Sequence, residues 1–343
     1  MKNVANTTVL GGKEGTLVTR IGAAVRTDGL LRRHKIRLGI GDDAALLAEQ
    51  SGFETVVSSD QFLEGTHFLE GKHPAEAVGY KALARAVSDL SAMGAEARAF
   101  LLNLALPVAK TGKWLDGFLV GLRRAARAAQ IALAGGDLSR SERVQISVTV
   151  IGRLKRGSAV LRSGAKAGDL IYVSGRLGLA ALGLRAMRRG VRAGASGTGP
   201  LIRAHLYPPI RLRLGGWLAT NRIANAMIDI SDGFSMDLHR VCEASGVGAR
   251  VEAKKVPRAR MSAGLAKRLG VSSGADLDFA LNGGDDYELL LTVPRSKARK
   301  LRMLVAGAPV TFVGEMARGR SVTLVAENGK ESRLEAGGWD PFA

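Results

Sequence analysis

The feature that most limits the possible folds is the alternation of strand-like and helix-like segments along the whole chain. Residues 55–59 and 144–151 are rich in β-branched side chains, as strands are, whereas residues 75–95 carry apolar residues at helical spacing. Strands that alternate with helices predict a layered α/β fold. The chain has 343 residues, more than one hydrophobic core usually organises, so two domains are expected, at 1–154 and 155–343.

Within the first domain the pattern predicts strand, helix, helix and strand, with residues 114–132 as the second helix and residues 144–151 pairing with 55–59. In the second domain the predicted helices are 179–189, 209–218, 236–245, 262–269 and 295–305, and the predicted strands are 170–174, 226–230, 249–251, 289–293 and 310–313. Residues 189–200, rich in Gly, Ala, Ser and Thr, predict a mobile surface loop.

Hydropathy and cysteine content indicate the compartment. The longest apolar run, residues 99–109, is interrupted by Asn103 and Pro107 and falls short of the roughly 20 residues that a membrane helix needs. The N-terminal residues do not have the pattern of a signal peptide. Cys242 is the single cysteine, so no intramolecular disulfide can form. We therefore expect a soluble cytoplasmic protein.

The net charge of +19, from 50 Lys and Arg against 31 Asp and Glu, raises the possibility of a nucleic-acid-binding protein. Aromatic residues make up only 5% of the chain, however, and the basic stretches lack the interleaved aromatic residues on which bases stack. The basic residues recur at helical or strand spacing, which is typical of solvated faces. We therefore expect no nucleic-acid partner.

Aspartates recur where the pattern predicts turn tips or strand ends. They occur in Gly39-Ile40-Gly41-Asp42-Asp43, Ser58-Ser59-Asp60, Gly135-Gly136-Asp137 and Asp229-Ile230-Ser231-Asp232-Gly233, and Asp89 lies in the first predicted helix. Any one of these motifs is more often simple turn chemistry, so only their joint occurrence carries a signal. Like charges about 4 Å apart cost about 4 kcal/mol per pair at an effective dielectric of about 20, so converging aspartates would need cations among them.

Phosphate transfer is the chemistry that such a cluster suggests. Mg²⁺ prefers carboxylates together with substrate phosphates, and phosphoryl transfer mainly requires positioning and neutralisation of phosphate charge. The sequence contains no Gly-x-x-x-x-Gly-Lys-Ser/Thr motif and no His-Arg-Asp and Asp-Phe-Gly pair. A phosphotransferase of this sequence would therefore need a different nucleotide-binding fold.

Seven stretches in order resemble the thiamine-monophosphate kinase family, a relative of the aminoimidazole ribonucleotide synthetases: 39–47, 57–68, 79–95, 135–140, 162–175, 226–238 and 280–289. The resemblance implies a two-domain, PurM-like α/β architecture, with an N-terminal domain that binds ATP and forms a β-barrel spanning a homodimer. It implies ATP near the subunit interface and thiamine monophosphate in the cleft between the domains. The implied reaction is direct in-line transfer of phosphate from ATP to thiamine monophosphate, giving thiamine diphosphate in the last step of its synthesis.

The resemblance also implies roles for individual residues. Several Mg²⁺ ions are expected at Asp43, Ser58, Ser59, Asp60, Asp89, Asp137, Asp229 and Asp232, and the catalytic residues among them are Asp43, Asp60 and Asp232. ATP is expected to contact Gly136, Asp137, Arg162 and Ser231, and thiamine monophosphate is expected to contact His67, Asp285 and Trp339. Taken alone, His67 could be a turn residue, Arg162 a surface residue and Trp339 a packing anchor, and Cys242 is interpreted as a core residue without chemistry.

Two departures from the family pattern concern the substrate side and the N-terminus. Asp285 stands where many members have glutamate, so the carboxylate is one methylene shorter. The segment Gly12-Lys13-Glu14-Gly15 replaces a common Gly-Glu-Phe. Within the superfamily, selenophosphate synthetases use a reactive cysteine or selenocysteine near the N-terminus, and the hydrogenase-maturation relatives end in a cysteine. This chain has neither, and a synthetase, a nucleic-acid-binding protein and an inactive scaffold are the alternatives to a kinase.

Overall fold

The computed structural model describes residues 12–25, 29–38, 46–47, 51–191, 197–272, 274–301 and 304–340. The chain divides into two compact units: the first comprises Met1–Leu90 and Glu96–Arg156, and the second comprises Ser91–Ala95 and Gly157–Ala343. Both units contain strands alternating with helices, which confirms the α/β class predicted from the sequence. No helix in the described ranges combines the length and the apolar character that crossing a membrane requires.

The first unit is built around a four-stranded sheet. The elements are α1 (Gly12–Val25), α2 (Leu30–Arg33), β1 (Ile36–Leu38), β2 (Leu46–Leu47), β3 (Phe53–Leu63), α3 (Ala75–Met93), β4 (Glu96–Leu106), α4 (Lys113–Ala129), β5 (Ala132–Arg140) and β6 (Gln145–Lys155). The strand order is β3-β6-β4-β5, and only the β4–β5 pair is parallel. The predicted pairing of residues 144–151 with 55–59 is confirmed, because β6 pairs with β3 along its whole length.

Helices α3 and α4 approach each other closely because two glycines leave room. A Cβ at Gly79 would lie 1.9 Å from the carbonyl oxygen of Phe118, and one at Gly121 would lie 1.8 Å from that of Glu76. The apolar stripe of α4, including Leu115, is buried. This packing fixes the position of α3 and of the polar residues that it carries.

Two of the predicted turn tips are wrong. Ser58, Ser59 and Asp60 lie in the interior of the 11-residue strand β3, because pairing with β6 extends the strand well beyond its β-branched part. The Gly135-Gly136-Asp137 motif lies within β5, which the sequence analysis missed together with β4. Glycine is required there by close strand approach, since a Cβ at Gly136 would lie 1.9 Å from the carbonyl oxygen of Leu102.

The second unit contains a larger sheet whose central path runs β14-β13-β9-β12-β7-β10-β8. Its elements are β7 (Leu170–Ser174), α5 (Leu179–Arg188), α6 (Gly199–Leu206), α7 (Leu212–Thr220), β8 (Ala226–Ile230), α8 (Phe234–Ser245), β9 (Gly248–Glu252), α9 (Ala263–Leu269), α10 (Asp276–Asn282), β10 (Glu288–Val293), β11 (Leu304–Val305), β12 (Ala308–Ala317), β13 (Val322–Val325) and β14 (Glu331–Arg333). Of the predicted loop at 189–200, residues 192–196 lie outside the described residues, and α6 begins at Gly199.

The central strands of this sheet are buried on both faces. Leu290 of β10 packs with Phe234 and Leu238 of α8, whereas Leu289 and Leu291 pack with α7 on the other face. Cys242 lies in the α8 core, as the sequence analysis expected.

The predicted helix at 295–305 is wrong. Its described residues form a short 3-10 turn at Ala298–Lys300 and the strand β11, which pairs with β12 as a hairpin. The turn residues Ala306 and Gly307 have φ angles of 49° and 84°, the left-handed conformation that two-residue hairpins require. The apolar spacing of this segment therefore reflects strand and turn packing instead of a helical face.

Candidate functional site

In the first unit, β3 and α3 bring three of the predicted metal ligands together. The Ser58 hydroxyl donates a hydrogen bond of 2.5 Å to Asp89 Oδ2. Two residues further along β3, Asp60 accepts two hydrogen bonds from Arg85, at 3.0 Å from Nε and 3.2 Å from Nη2. Arg85 and Asp89 are four residues apart on α3 and therefore share one face of the helix. Helix α3 thus presents one cation and one anion to the polar residues of β3.

Ser59 and Asp137 lie on the opposite face of the same sheet and at opposite edges of it. Ser59 pairs with Thr149 of β6, with 3.0 Å between their hydroxyl oxygens, while Asp137 pairs with Asn103 of β4. Three strand spacings of about 4.8 Å separate β3 from β5, or about 14 Å. A single copy of this sheet does not bring Asp137 to Asp60. Gly136 lies beside Asp137 on the same edge strand.

Of two further predicted residues of this unit, Asp43 and His67, the structure describes only His67. Asp43 and the rest of its Gly39–Asp43 motif lie outside the described residues. His67 lies in the turn after β3, where the backbone N–H of Leu63 donates to its Nδ1 at 3.0 Å. Because Nδ1 accepts this bond, the neutral ring carries its proton on Nε2.

In the second unit, Asp237 organises the loop between β8 and α8. Its Oδ2 accepts backbone N–H groups of three consecutive residues, Ser231 at 3.1 Å, Asp232 at 3.2 Å and Gly233 at 3.3 Å. Its Oδ1 lies 2.6 Å from Nη1 of Arg240, and the same nitrogen lies 2.7 Å from Asp232 Oδ2. Burial raises the pKa of Asp237 to about 6 although Arg240 lowers it, so the carboxyl is ionised at neutral pH.

Backbone hydrogen bonds hold two further predicted residues, Asp285 and Trp339, against this loop. The N–H of Asp285 donates to the carbonyl oxygen of Ser231 at 2.7 Å, and the N–H of Trp339 donates to that of Asp232 at 2.9 Å. The Trp339 side chain is 48% exposed, so it is not the packing anchor that the alternative interpretation proposed. The structure therefore brings Ser231, Asp232, Asp285 and Trp339 together at the carboxyl end of β8.

The Asp285 carboxylate is held on both of its oxygens. Oδ1 accepts the hydroxyl of Tyr287 at 3.0 Å, and Oδ2 lies 3.6 Å from Nδ1 of His205, whose side chain is 1% exposed. Asp285 and Tyr287 both have positive φ angles, 70° and 49°, in the region that few residues other than glycine adopt. This strained turn and its two polar contacts fix where the shortened carboxylate points.

Buried ionic contacts tie the ends of the same turn to the core. Glu288 accepts hydrogen bonds of 2.6 Å from both Nε and Nη2 of Arg211 and is also bonded to the Ser174 hydroxyl. Asp286 accepts the N–H of Gly178 at 2.6 Å at the start of α5, and burial raises its pKa well above the usual value. Asp229, on β8 opposite Leu289 of β10, is 5% exposed.

Arg162 lies away from this group. The carbonyl oxygen of its neighbour Leu161 accepts the N–H of Met227, near the start of β8. Ser231 follows the other end of that strand, four residues from Met227, which at about 3.3 Å per residue is about 13 Å. The backbone of Arg162 therefore lies at the opposite end of β8 from the other predicted ATP residue of this unit.

The sequence analysis missed the residues that hold the predicted ligands in place: Arg85, His205, Asp237, Arg240 and Tyr287. A signal existed for two of them. Arg85 precedes Asp89 by one helical turn, and an acidic residue in the first turn of α8, Asp237, is where a helix N-terminus favours negative charge. The contact of His205 with Asp285 joins residues 80 positions apart, and no local pattern reports it.

The donor atoms present suit Mg²⁺ in part. Within the described ranges no group of three or more His, Cys, Asp or Glu side chains could by itself hold a metal ion. Ser58, Asp60 and Asp89 nevertheless offer hard oxygen atoms on adjacent elements, and Mg²⁺ commonly binds one or two carboxylates together with substrate phosphates and water. This donor set fits a cation that is shared with a phosphorylated ligand.

Comparison with known proteins identifies the family. The N-terminal and C-terminal domains of AIR synthase related proteins match residues 41–154 and 166–327. The thiamine-monophosphate kinases of Salmonella typhimurium and Escherichia coli K12 are each 35% identical over 333 residues, which cover 96% of this chain and 98% of the relative. The chain belongs to the thiamine-monophosphate kinase family. This confirms the resemblance inferred from the seven sequence stretches.

Solved structures agree with this membership in the thiamine-monophosphate kinase family. The crystal structure of thiamine-monophosphate kinase from Stenotrophomonas maltophilia K279a has a TM-score of 0.77 and 35% identity, covering 92% of this chain and 96% of that one. The structure of AaThiL complexed with AMPPCP and TMP has a TM-score of 0.75 and 30% identity, covering 95% and 96%. The hydrogenase maturation protein HypE of E. coli shares the fold, with a TM-score of 0.74 at 19% identity.

Proposed function

We propose that this chain transfers the terminal phosphate of ATP to thiamine monophosphate and so forms thiamine diphosphate. The observation that carries the proposal is 35% identity to thiamine-monophosphate kinases across nearly the whole chain. A structural relative at 30% identity was solved with AMPPCP, an ATP analogue, and with TMP, which matches the two substrates. In the in-line reaction, a phosphate oxygen of thiamine monophosphate bonds to the γ-phosphorus, and the bond to the β–γ bridging oxygen breaks.

Each unit contributes residues of its own to this reaction. In the first unit, Ser58, Asp60 and Asp89 would hold Mg²⁺, with Ser59, Asp137 and Asp43 as further proposed ligands. In the second unit, Asp229 and Asp232 are proposed for the same purpose. Bound Mg²⁺ would supply neutralisation of phosphate charge. The protein's own contribution is positioning: Asp237 holds the Ser231–Asp232 loop, and Tyr287 and His205 hold Asp285.

The substrate contacts are proposals on the same basis. Gly136, Asp137, Arg162 and Ser231 are proposed for ATP, and His67, Asp285 and Trp339 for thiamine monophosphate. The backbone N–H groups of Ser231, Asp232 and Gly233 are already bonded to Asp237, so Ser231 would reach a phosphate through its hydroxyl group. We propose 1–154 as the nucleotide-binding and dimerisation domain and 155–343 as the second domain, acting in the cytoplasm.

A homodimer would explain the separation of the proposed ligands. Asp60 and Asp137 lie on β3 and β5, the two edge strands of the four-stranded sheet, about 14 Å apart. A second copy whose β5 lies beside β3 would bring its Asp137 next to this strand, on the face that carries Ser59, as a barrel spanning two subunits requires. Val57, 62% exposed on the face of β3 away from α3, supports the same arrangement. Sedimentation equilibrium of the purified protein should give twice the chain mass.

The test of function is a direct assay. Purified protein is incubated with ATP, Mg²⁺ and thiamine monophosphate, and thiamine diphosphate is measured by chromatography. Free thiamine serves as a rival acceptor, and EDTA replaces Mg²⁺ in a parallel sample. Phosphorylation of thiamine monophosphate but not of free thiamine, and only in the presence of Mg²⁺, supports the proposal. Absence of thiamine diphosphate under all conditions, with the protein folded, refutes it.

A further inference from the structure

The guanidinium of Arg85 lies where the carboxylates of the first unit need a cation. It donates from two nitrogens to both oxygens of Asp60, at 3.0 and 3.2 Å, which is the paired geometry that makes Arg–carboxylate bonds strong. The same group lies 5.1 Å from the centre of the Phe62 ring, and the Arg85 side chain is only 12% exposed. Ring stacking and two hydrogen bonds together fix its position.

This contact changes the charge balance that the sequence analysis expected. Converging aspartates need a cation, and in the structure the cation beside Asp60 belongs to the protein itself. The two hydrogen bonds occupy about two of the four lone-pair sites of Asp60 and keep a positive charge beside the others, so the guanidinium repels a divalent cation that binds this carboxylate. Arginine and metal therefore compete for one carboxylate.

We propose that Arg85 is a positioning residue that acts as the resident counter-ion of Asp60, holding this carboxylate in place and competing with the divalent cation for it. The inference rests on the proposed function, in which Asp60 is a metal ligand. Its consequence is that Arg85 sets how much Mg²⁺ the enzyme needs. Removing the guanidinium should strengthen divalent-cation binding and lower the stability of the metal-free protein.

Arg240 in the second unit differs from Arg85 because its guanidinium is shared between a proposed ligand and a buried carboxylate. It pairs with Asp232 at 2.7 Å, but the same nitrogen lies 2.6 Å from Asp237, which is 0% exposed and bonded to three backbone N–H groups. Loss of Arg240 would leave a buried carboxylate without its cation. Asp60 has a side chain that is 29% exposed and can exchange its partner for a cation from solution.

The test compares Mn²⁺ binding by full-length wild-type protein, Arg85→Met and Arg85→Lys without nucleotide, following free Mn²⁺ by electron paramagnetic resonance. Met keeps an unbranched apolar side chain that can still lie on Phe62, whereas Lys keeps the charge without the paired geometry. We expect the Mn²⁺ dissociation constant to fall about tenfold in Arg85→Met, equivalent to about 1.4 kcal/mol, and by less in Arg85→Lys. Melting in EDTA should occur at a lower temperature in Arg85→Met, and Mn²⁺ should raise it more than in the wild type.

Arg124→Met is the matched control. Arg124 of α4 pairs with Glu76 at 2.8 Å and lies 4.9 Å from the centre of the Tyr80 ring, so it has the same two kinds of contact, and neither Glu76 nor Tyr80 is a proposed ligand. Its Mn²⁺ affinity should equal that of the wild type.

Two results overturn the inference: Mn²⁺ affinity that is unchanged or weaker in Arg85→Met, or no Mn²⁺ binding by that variant at millimolar concentrations. If Arg85→Met does not fold, Arg85→Lys decides, because it must still bind Mn²⁺ more tightly than the wild type. The kinase assay separates this inference from the proposed function. A wild-type enzyme that makes thiamine diphosphate while Arg85→Met shows no gain in affinity disproves only the role of Arg85.

Discussion

Replacing Asp237 with alanine should destabilise the second unit and also disturb its proposed site, because one buried carboxylate holds the whole Ser231–Gly233 loop. The side chain is 0% exposed and accepts three backbone N–H groups, besides its ion pair with Arg240. In Asp237→Ala these donors lose their acceptor. The start of α8 also loses a negative charge in its first turn, where the helix dipole favours one.

The size of the effect follows from the exposure of the three donors. An orphaned buried donor costs about 1–3 kcal/mol. Gly233 is buried, whereas Ser231 and Asp232 are partly exposed, so water can replace part of what they lose. We therefore expect Asp237→Ala to lower the free energy of unfolding by about 3 kcal/mol, which is the low end of the range for three fully buried donors. A domain of this size loses about 2–4 °C in melting temperature per kcal/mol, which gives a fall of about 6–12 °C.

Scanning calorimetry of Asp237→Ala measures the fall in melting temperature, and the kinase assay measures how the substitution disturbs the Ser231–Gly233 loop. Glu243→Ala is the control, because Glu243 is an exposed residue of the same helix and should change melting by less than about 1 °C. Turnover should fall along with stability, since Ser231 and Asp232 are no longer held. A melting temperature for Asp237→Ala within about 2 °C of that for Glu243→Ala would show that the carboxylate does not hold the loop.

Three further predictions concern single residues. Asp43→Asn and Asp60→Asn should each lower the rate of thiamine diphosphate formation by orders of magnitude at saturating substrates, because a neutral ligand misplaces cation charge; wild-type rates would remove that residue from the site. Burial raises the pKa of the Cys242 thiol to about 12, so iodoacetamide at pH 8 should alkylate the native protein about a thousandfold more slowly than the urea-unfolded protein, and equal rates by mass spectrometry would contradict this. Burial lowers the pKa of His34, and the positive charges of Arg33 and Arg98 lower it further, against the opposing contributions of the Gln130 carbonyl oxygen and Glu96. The unfolded state therefore binds more protons below about pH 6.5, and stability is lost as the pH falls. The protection factors of the α2 amides, which are corrected for the intrinsic exchange rate, should be lower at pH 5 than at pH 7, and the difference should be smaller in His34→Gln.

Local patterns predicted most of the helices and strands because each pattern depends on neighbouring residues. Leu170–Ser174 and Ala226–Ile230 were predicted with the bounds that the structure has, since both are short apolar runs bordered by turn residues. The strands β4 and β5 were missed because alanine, leucine and glycine carry little strand preference, and pairing with β6 and with each other decides their conformation. Strand β11 was predicted as the end of a helix over 295–305, and its pairing with β12 likewise decides its conformation.

Residue types and their order were enough to predict the α/β class, the family and the polar residues of the candidate site. The surroundings of each carboxylate depend on strand register and helix packing, since side-chain contacts such as Arg85 with Asp60, or His205 with Asp285, join distant segments of the chain. The same register places Asp60 and Asp137 on opposite edges of one sheet, although both follow a similar pattern of small residues. Charge neutralisation depends on the distance between charges in space, and the number of residues between them in the sequence does not indicate that distance.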